Sequence, residues 1–178
     1  VIFAGEERFR EDFGTDVATR WQAEVIHKDG FTNPEAFAEL VPGEDFATLR
    51  ARMSKTNHVA QLVLKPAVRI PVRKGDQLEL VYRGPLDGPI RAEITYLLTQ
   101  PDGKTVFGWK PDNNAVVGFP LRRHAVDLWN DLYEGAKAES DTAELHNVRI
   151  TLSSPPDSTN ALELHFLIVS PHTAATAR

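Results

Sequence analysis

Residues 68–83 read Val-Arg-Ile-Pro-Val-Arg-Lys-Gly-Asp-Gln-Leu-Glu-Leu-Val-Tyr-Arg, and this stretch decides the fold class. Apolar and polar residues alternate over 68–73, a turn signal follows at Lys74-Gly75-Asp76, and the alternation resumes over 78–83. A period of two residues is typical of a β-strand that buries one face. Because proline cannot donate a backbone hydrogen bond, Pro66–Pro71 is predicted as an edge strand or an extended link.

The same alternation recurs along the chain, at 48–53, 58–64, 90–98, 148–152 and 162–168. Turn residues separate these runs, as in Leu86-Asp87-Gly88-Pro89, Pro101-Asp102-Gly103-Lys104 and Pro155-Pro156-Asp157-Ser158. Many short strands of this kind predict an all-β protein, an antiparallel β-sandwich of the jelly-roll type in which each strand hides one face.

Two segments depart from this pattern. The stretch from Asn33 to Leu40 opens with an N-cap residue and a proline, so it predicts one or two helical turns or, alternatively, a strand over Phe37–Val41. Helical spacing of apolar residues over 121–133 predicts a short helix near Asp127–Lys137, after a strand around Ala115–Ala125. The prediction is therefore a sandwich with one or two short helices.

Composition limits the function classes. The 178 residues carry 20 Lys+Arg and 25 Asp+Glu, so the net charge is −5, which argues against a nucleic-acid partner. No apolar run approaches the roughly 20 residues that span a bilayer, so no membrane partner is expected. With no Cys, disulfides, thiol nucleophiles and thiolate metal sites are excluded.

The length and the two ends suggest one domain of a larger protein. No repeat or linker divides the chain, so we predict a single domain over 1–172, followed by a tail or the start of a linker at 173–178. The chain starts at Val1 rather than Met, and its last residues are small and without periodicity. These features favour a fragment of a longer or processed protein, with flanking domains of the same chain as partners.

Several motifs resemble the galactose-binding-like jelly rolls, many of which are carbohydrate-binding modules of polysaccharide-active enzymes. The matching stretches are Glu11-Asp12-Phe13-Gly14 followed by Trp21, Ala47–Ala51, Val68–Leu78, Val126–Leu128 and Val148–Ile150. The resemblance is one of pattern and covers nearly the whole chain. It implies a core position for Trp21, a polysaccharide or oligosaccharide partner, and a secreted or periplasmic location.

The same family often holds a structural calcium near its opening acidic residues. The resemblance therefore implies Glu11, Asp12 and Asp16 as oxygen ligands for Ca²⁺, and no other cofactor. The family also uses an Asp on the last strand, and this chain has none over 162–169. A solvated acidic turn is the alternative interpretation of these three residues.

Exposed aromatic rings are the usual sugar-binding groups, because their faces stack on the apolar C–H faces of pyranose rings. Phe107 and Trp109 lie in a loop-like stretch with polar neighbours, and Asn113 and Asn114 follow them. We predict that these four residues form a sugar platform. Trp129 and Tyr133 share one helical face, which is more typical of a core position.

Arginine is frequent at polar strand positions, namely Arg50, Arg52, Arg69, Arg83, Arg91 and Arg149. If several share one sheet, they form a cationic face that suits carboxylate or sulfate groups, so Arg83 and Arg91 are predicted as additional ligand contacts. The alternative is an ordinary solvated face with cross-strand Arg–Glu pairs.

The leading hypothesis is a noncatalytic carbohydrate-binding or accessory module of a larger polysaccharide-active protein. One alternative is a lyase or glycoside hydrolase acting on an acidic polysaccharide, with Tyr82 or Tyr96 as base or with Glu79, Glu93 and Glu163 as carboxylates. Another is a structural or interaction domain of a larger assembly. Signature motifs of nucleotide-binding proteins, zincins and serine hydrolases are absent from the sequence.

Overall fold

The protein folds as an antiparallel β-sandwich of two sheets. The computed structural model describes residues 6–26, 35–52, 59–84, 91–112, 121–153 and 159–171, without the side chains of residues 59, 91 and 153. The strands are β1 (Phe9–Glu11), β2 (Trp21–Ile26), β3 (Phe37–Val41), β4 (Ala47–Arg52), β5 (Val59–Leu64), β6 (Ile70–Arg73), β7 (Asp76–Arg83), β8 (Arg91–Thr99), β9 (Thr105–Pro111), β10 (Arg122–Asp127), β11 (Thr142–Ser153) and β12 (Thr159–Pro171).

Each sheet contains six of the described strands. The first sheet has the order β10-β7-β12-β4-β3, and β1 pairs with the C-terminal half of β12. The second sheet has the order β2-β5-β11-β8-β9, and β6 pairs with the N-terminal half of β11. All of these pairings are antiparallel, so the predicted fold class is confirmed.

The core lies between the two sheets and follows the predicted alternation. In β8, for example, Ile94, Tyr96 and Leu98 are fully buried, whereas the intervening side chains face outward and are partly exposed. Trp21 is buried, as the family resemblance implied, and packs against Phe13 with ring centroids 5.7 Å apart. Burial of about thirty apolar side chains stabilises the sandwich, and the chain has no cysteine to form a disulfide.

Three turn signals, at 74–76, 86–89 and 155–158, lie between strands that belong to different sheets. The turn at 74–75 lies between β6 of the second sheet and β7 of the first, and Gly75 adopts a left-handed φ of +97° there. The segment 154–158 lies between β11 and β12, which also belong to different sheets. The turn at 101–104 joins β8 to β9 and forms a hairpin. Among the described connections that carry a turn signal, it alone reverses the chain within one sheet.

The segment after β10 corrects a prediction. The structure has a strand over Arg122–Asp127 and a single 3₁₀ turn over Tyr133–Gly135, rather than a helix over Asp127–Lys137. The Asp127 carboxylate accepts the backbone N–H groups of Trp129 and Asn130 at 3.0 Å each, which forms a turn and competes with helix formation. Glu134 then adopts a left-handed φ of +51°, which ends any helical continuation.

The alternative strand at Phe37–Val41 is confirmed, and the residues before it at 27–34 lie outside the described part. Pro66–Pro71 lies largely before β6, which pairs with β11 at one edge, in agreement with the predicted edge strand. The predicted tail at 173–178 and most of the predicted strand at 115–125 also lie outside the described residues.

Candidate functional site

An exposed aromatic cluster lies at the edge of the second sheet. Phe107 and Trp109 are two residues apart on β9, so both point to the outer face, where they are 41% and 37% exposed. Tyr133, 44% exposed, stands beside them, with its ring centroid 5.7 Å from Phe107 and 6.1 Å from Trp109 in edge-on arrangements. These three side chains are called the β9 aromatic surface below.

The strand that carries this surface is held from the inside of the sandwich. Gly108 lies between Phe107 and Trp109 and faces Tyr96 across the β8–β9 pair. A Cβ atom at Gly108 would come within 2.0–2.4 Å of the Tyr96 ring, so only glycine permits this close packing. Tyr96 is fully buried, and its ring therefore fixes the position of β9 from which Phe107 and Trp109 project.

The turn after β10 places Tyr133 beside β9. The Trp109 backbone N–H donates to the Asp131 carbonyl at 3.1 Å, and the Lys110 ammonium contacts the Asp131 carboxylate at 2.8 Å. The Tyr96 hydroxyl reaches the same turn, 3.1 Å from the Leu128 carbonyl oxygen. Because both β9 and Tyr96 bind this turn, the Tyr133 ring is fixed next to Trp109.

On the outer face of the second sheet, polar side chains extend from the aromatic rings on β9 across the neighbouring strands. The cross-strand register aligns Trp109 with Thr95, Thr95 with Arg149, and Arg149 with Val63. A second row aligns Glu93 with Thr151 on β11, Thr151 with Gln61 on β5, and Gln61 with Glu24 on β2. The set Glu24, Gln61, Glu93, Thr95, Arg149 and Thr151 is called the polar strip.

Hydrogen bonds order the polar strip. The Trp109 indole N–H donates to the Glu93 carboxylate at 3.3 Å. At the far end, the Gln61 amide donates to the Glu24 carboxylate, and the Arg149 guanidinium lies 3.8 Å from the same carboxylate. With two carboxylates and one guanidinium, the strip has no positive excess. Gln61 and Thr151 are buried, at 2% and 8% exposed, so the partly exposed Glu24, Glu93, Thr95 and Arg149 are the polar groups that the strip presents beside the flat apolar rings.

The predicted sugar platform is brought together only in part. Phe107 and Trp109 share the β9 aromatic surface, and they lie on a strand rather than in the predicted loop. Asn113 and Asn114 lie outside the described residues. Tyr133 belongs to this surface instead of the core, whereas Trp129 is 8% exposed and is a core residue, as expected.

Of the two predicted arginine contacts, the structure separates Arg83 from Trp109. Arg83 lies on β7 of the first sheet, where its guanidinium pairs with Glu163 of β12, so the opposite sheet carries it. Arg91 begins β8, and its side chain lies outside the described part.

The arginines of the polar strand positions are divided between the sheets and paired with acids. Arg50, on the first sheet, faces Glu39 at 3.7 Å, and Arg69, at the second, faces Glu144 at 3.2 Å. The structure therefore agrees with solvated cross-strand pairs rather than one cationic face.

The residues expected to hold calcium do not fit the ion. The Glu11 carboxylate is 0% exposed and accepts hydrogen bonds from the Phe13 backbone N–H, the Trp21 indole and the Arg20 guanidinium, at 2.6–3.0 Å. Arg20 also contacts both Asp16 oxygens at 3.0 Å, which lowers the pKa of Asp16. A guanidinium thus occupies the space between the two carboxylates.

Asp12, the third expected calcium ligand, is exposed and pairs with Arg10 at 2.7 Å. Among the described residues, no group of three or more acidic or histidine side chains is placed to hold a metal ion.

The tyrosines proposed as lyase bases lie inside the sandwich. Tyr82 is 3% exposed and donates to the Asp112 carboxylate at 2.6 Å. Burial first, and then Asp112, raises the pKa of Tyr82, and burial likewise raises the pKa of Tyr96. A general base needs an accessible, readily deprotonated oxygen, so neither side chain suits that role.

The carboxylates proposed for glycoside hydrolysis are spread over two surfaces. Glu93 belongs to the second sheet, whereas Glu79 and Glu163 lie on the outer face of the first. Glu163 aligns with Arg83, four residues along β7 from Glu79, which is about 13 Å at 3.3 Å per residue. This is a backbone separation. The Glu163 carboxylate pairs with Arg83 and the Glu79 carboxylate with Arg123, so a guanidinium holds each of them.

Comparison with known proteins supports the fold. No protein-family model matches the sequence, and no curated protein matches it. A family 11 carbohydrate-binding module from Clostridium thermocellum, solved with a β-1,3-1,4-mixed-linked tetrasaccharide, is similar with a TM-score of 0.54 at 7% identity. The match covers 94% of this chain and 96% of that module.

Two further solved structures share the sandwich. One, from a study of carbohydrate-binding modules of the β-sandwich superfamily, has a TM-score of 0.51 at 12% identity and covers 90% of this chain and 59% of that chain. The other, the glycoside hydrolase domain of Endo-D from Streptococcus pneumoniae R6, has a TM-score of 0.51 at 14% identity. It covers 86% of this chain, which spans only 22% of that structure. The fold is therefore that of a carbohydrate-binding-module-like jelly roll.

Among the described residues, no helix is long and apolar enough to cross a bilayer.

Sequence reasoning missed Glu93 and Tyr133 as members of the site. The Pro101–Lys104 turn sets the register between β8 and β9, which aligns Thr95 with Trp109. Glu93 is two positions from Thr95, so it lies on the same face of the sheet and could have been recognised from that register. Tyr133 carries no such local signal, because its neighbours on β9 are more than 20 residues earlier in the sequence.

Proposed function

We propose that this chain is a noncatalytic carbohydrate-binding module and that the β9 aromatic surface with the polar strip is its glycan-binding site. The observation that carries the proposal is the grouping of three exposed aromatic rings, Phe107, Trp109 and Tyr133, beside hydrogen-bonding side chains on one sheet face. Aromatic faces suit the C–H faces of pyranose rings, and the strip supplies partners for hydroxyl groups.

The fold supports this proposal. The similar family 11 module, which was solved in complex with a mixed-linked tetrasaccharide, is nearly the same length as this chain. We further propose that the module belongs to a larger, secreted protein that acts on polysaccharides, where it keeps the protein on its substrate. The polar strip carries two carboxylates and one guanidinium, and this negative excess favours a neutral polysaccharide over an anionic one.

The proposal excludes catalysis by this domain. The tyrosines considered as bases are buried, and each of the first-sheet carboxylates is paired with an arginine. Turnover of a polysaccharide by the purified chain would therefore contradict the noncatalytic part of the proposal, whatever the binding result.

Affinity electrophoresis tests the proposal directly. The chain is run in native gels that contain xylan, mixed-linkage β-1,3-1,4-glucan, agarose or polygalacturonate, and its migration is compared with gels without polysaccharide. We expect retardation by at least one neutral polymer and a loss of about 30-fold or more in affinity for Trp109→Ala, because stacked aromatic anchors commonly contribute 2 kcal/mol or more.

Phe37→Ala is the matched control for that experiment. Phe37 is also an aromatic residue on an edge strand, but it lies on the first sheet, under the Arg50 guanidinium. This variant should be retarded like the unmodified chain. Absence of retardation by every polymer, or an equal loss for both variants, would overturn the assignment of the site.

A further inference from the structure

A polar groove lies at the end of the second sheet away from Glu93. It has a volume of about 530 Å³, and its lining includes Arg69, Thr99, Gly103, Thr142 and Glu144. These residues come from the start of β11, the end of β8, the hairpin turn that follows β8, and the segment before β6. The groove is open, and hydroxyl and charged groups line much of it.

The groove and the β9 aromatic surface lie along the same outer face of β8. Thr95, which faces Trp109, and Thr99, which lines the groove, are both on the outer face of β8. They are four residues apart, about 13 Å along the strand. Leu97 lies between them, opposite Phe107 on β9, so an exposed aromatic ring stands midway along this path.

Hydrogen bonds order the walls of the groove. The Thr99 hydroxyl lies 2.7 Å from His146 Nε2 and 2.8 Å from the Thr105 hydroxyl. Burial and then the charge of Arg69 lower the pKa of His146, so the imidazole is neutral at pH 7 and can exchange hydrogen bonds with hydroxyl groups.

Charge in the groove is balanced. Arg69 and Glu144 lie 3.2 Å apart and are about half exposed, at 50% and 52%. The described hydrogen bonds use one N–H of the Arg69 guanidinium, which carries five donors, so donors remain beside the Glu144 carboxylate acceptor. A balanced donor–acceptor pair suits the hydroxyl groups of a neutral sugar better than a carboxylate or sulfate group.

We propose that this groove is a second subsite for the same neutral glycan chain, which runs along β8 from Trp109 past Phe107 to the Arg69–Glu144 pair. This inference rests on the proposed function. It predicts a dependence on chain length: a short oligosaccharide occupies only the β9 aromatic surface and the polar strip, whereas a longer one also reaches the groove.

Calorimetric titration with xylan and mixed-linkage β-1,3-1,4-glucan oligosaccharides, from trisaccharide upward, tests the subsite. The variant is the double substitution Arg69→Ala with Glu144→Ala, which removes the pair without changing the net charge. We expect a loss of about tenfold in affinity for long oligosaccharides, the size expected for hydrogen bonds that involve charged groups, and no change for the trisaccharide.

The matched control is the double substitution Arg50→Ala with Glu39→Ala. This cross-strand pair has similar exposure, 54% for each side chain, but lies on the first sheet. It should leave the whole length series unchanged, and Trp109→Ala should weaken every member. Thermal unfolding of both double variants confirms that they remain folded.

Two results distinguish failure of the second subsite from failure of the proposed function. If the Arg69/Glu144 variant binds the whole series like the unmodified chain, or weakens short and long members equally, the second subsite is refuted while Trp109→Ala still tests the first site. If Trp109→Ala also binds every oligosaccharide normally, the proposed function itself fails.

Discussion

Two tryptophan–glutamate pairs in this molecule have the same composition and opposite surroundings. At the start of the chain, the Trp21 indole donates to Glu11 at 2.9 Å, and at the sheet edge the Trp109 indole donates to Glu93 at 3.3 Å. Trp21 is 1% exposed and Glu11 is buried, whereas Trp109 is 37% exposed on the outer face. One pair is inside the protein, and the other faces solvent.

The difference lies in what else binds each carboxylate. Glu11 accepts from Phe13, Trp21 and Arg20, so a full set of N–H donors replaces the water that burial removes. Glu93 is only partly buried, on a face that also presents aromatic rings. A pair of the first kind stabilises the fold, and we propose that the pair of the second kind contacts a ligand. The predictions below test this division.

The largest expected effect is the difference in protein stability between substitutions of the two tryptophans. Trp21→Ala removes a buried ring and leaves Glu11 with one donor fewer, so it should lower the free energy of unfolding by about 3–5 kcal/mol or prevent folding. Trp109→Ala should change it by less than about 1 kcal/mol. Chemical denaturation measures both values. Equal losses would refute the structural distinction between the pairs.

The next effect concerns the arginine that occupies the predicted calcium position. Arg20→Ala leaves the buried Glu11 charge without its guanidinium, and the expected loss of unfolding free energy is about 3 kcal/mol. Arg10→Ala is the control, because its pair with Asp12 is exposed and such pairs contribute about 0–1 kcal/mol. Added Ca²⁺ should not raise the melting temperature of the unmodified chain. A clear stabilisation by Ca²⁺ would show that the acidic residues bind it after all.

Substitution of Glu93, the carboxylate of the exposed pair, should have a smaller effect, on the affinity for the glycan. Glu93→Gln keeps the side-chain shape and removes the charge, so hydrogen bonds to sugar hydroxyls weaken and affinity should fall roughly tenfold. Glu79→Gln, on the first sheet and paired with Arg123, should have no effect on binding. Titration calorimetry with the polysaccharide that retards the unmodified chain compares the two. An unchanged Glu93→Gln affinity would remove this residue from the site.

The smallest effect is a pH dependence of stability at His146. Burial and Arg69 lower the pKa of His146 below its unfolded value of about 6.5. In the window just below that value the unfolded chain binds more protons, so the His146 contribution to stability decreases as the pH falls. As the pH falls through this window, the unfolding free energy of the unmodified chain should therefore decrease relative to that of His146→Gln. An increase toward acid would contradict the sign.

The alternation of residues was enough to predict most strands, because burial of one face requires it. Strands β4, β5, β7 and β8 lie close to where a period of two residues predicts them. The same pattern does not show which sheet a strand joins, because a sandwich buries one face of every strand in the same way. Arg83 and Trp109 consequently seemed to be neighbours and lie on different sheets.

The candidate site was harder to predict, because long-range packing forms it. Strand β9 contains Gly108 and Lys110, which favour a loop by local propensity, and Tyr96 explains the glycine. The helical spacing up to Tyr133 was misleading, because the Asp127 and Asp131 carboxylates accept backbone N–H groups of the turn. The Asp131 carbonyl also accepts the Trp109 backbone N–H of β9. The ion pairs at the expected calcium ligands were not predicted for a related reason: Arg20 is far enough from Glu11 in sequence that their contact was not foreseen.

The indole N–H resonances of the three tryptophans give the most direct test of the account. In a ¹H–¹⁵N titration with xylan or mixed-linkage β-1,3-1,4-glucan oligosaccharides, the Trp109 indole signal, assigned with Trp109→Phe, should shift with saturation. The Trp21 and Trp129 indoles, which donate to Glu11 and to the Ser140 carbonyl, should stay in place. Saturable binding that leaves the Trp109 signal unmoved would contradict the claim that the β9 aromatic surface is the glycan-binding site.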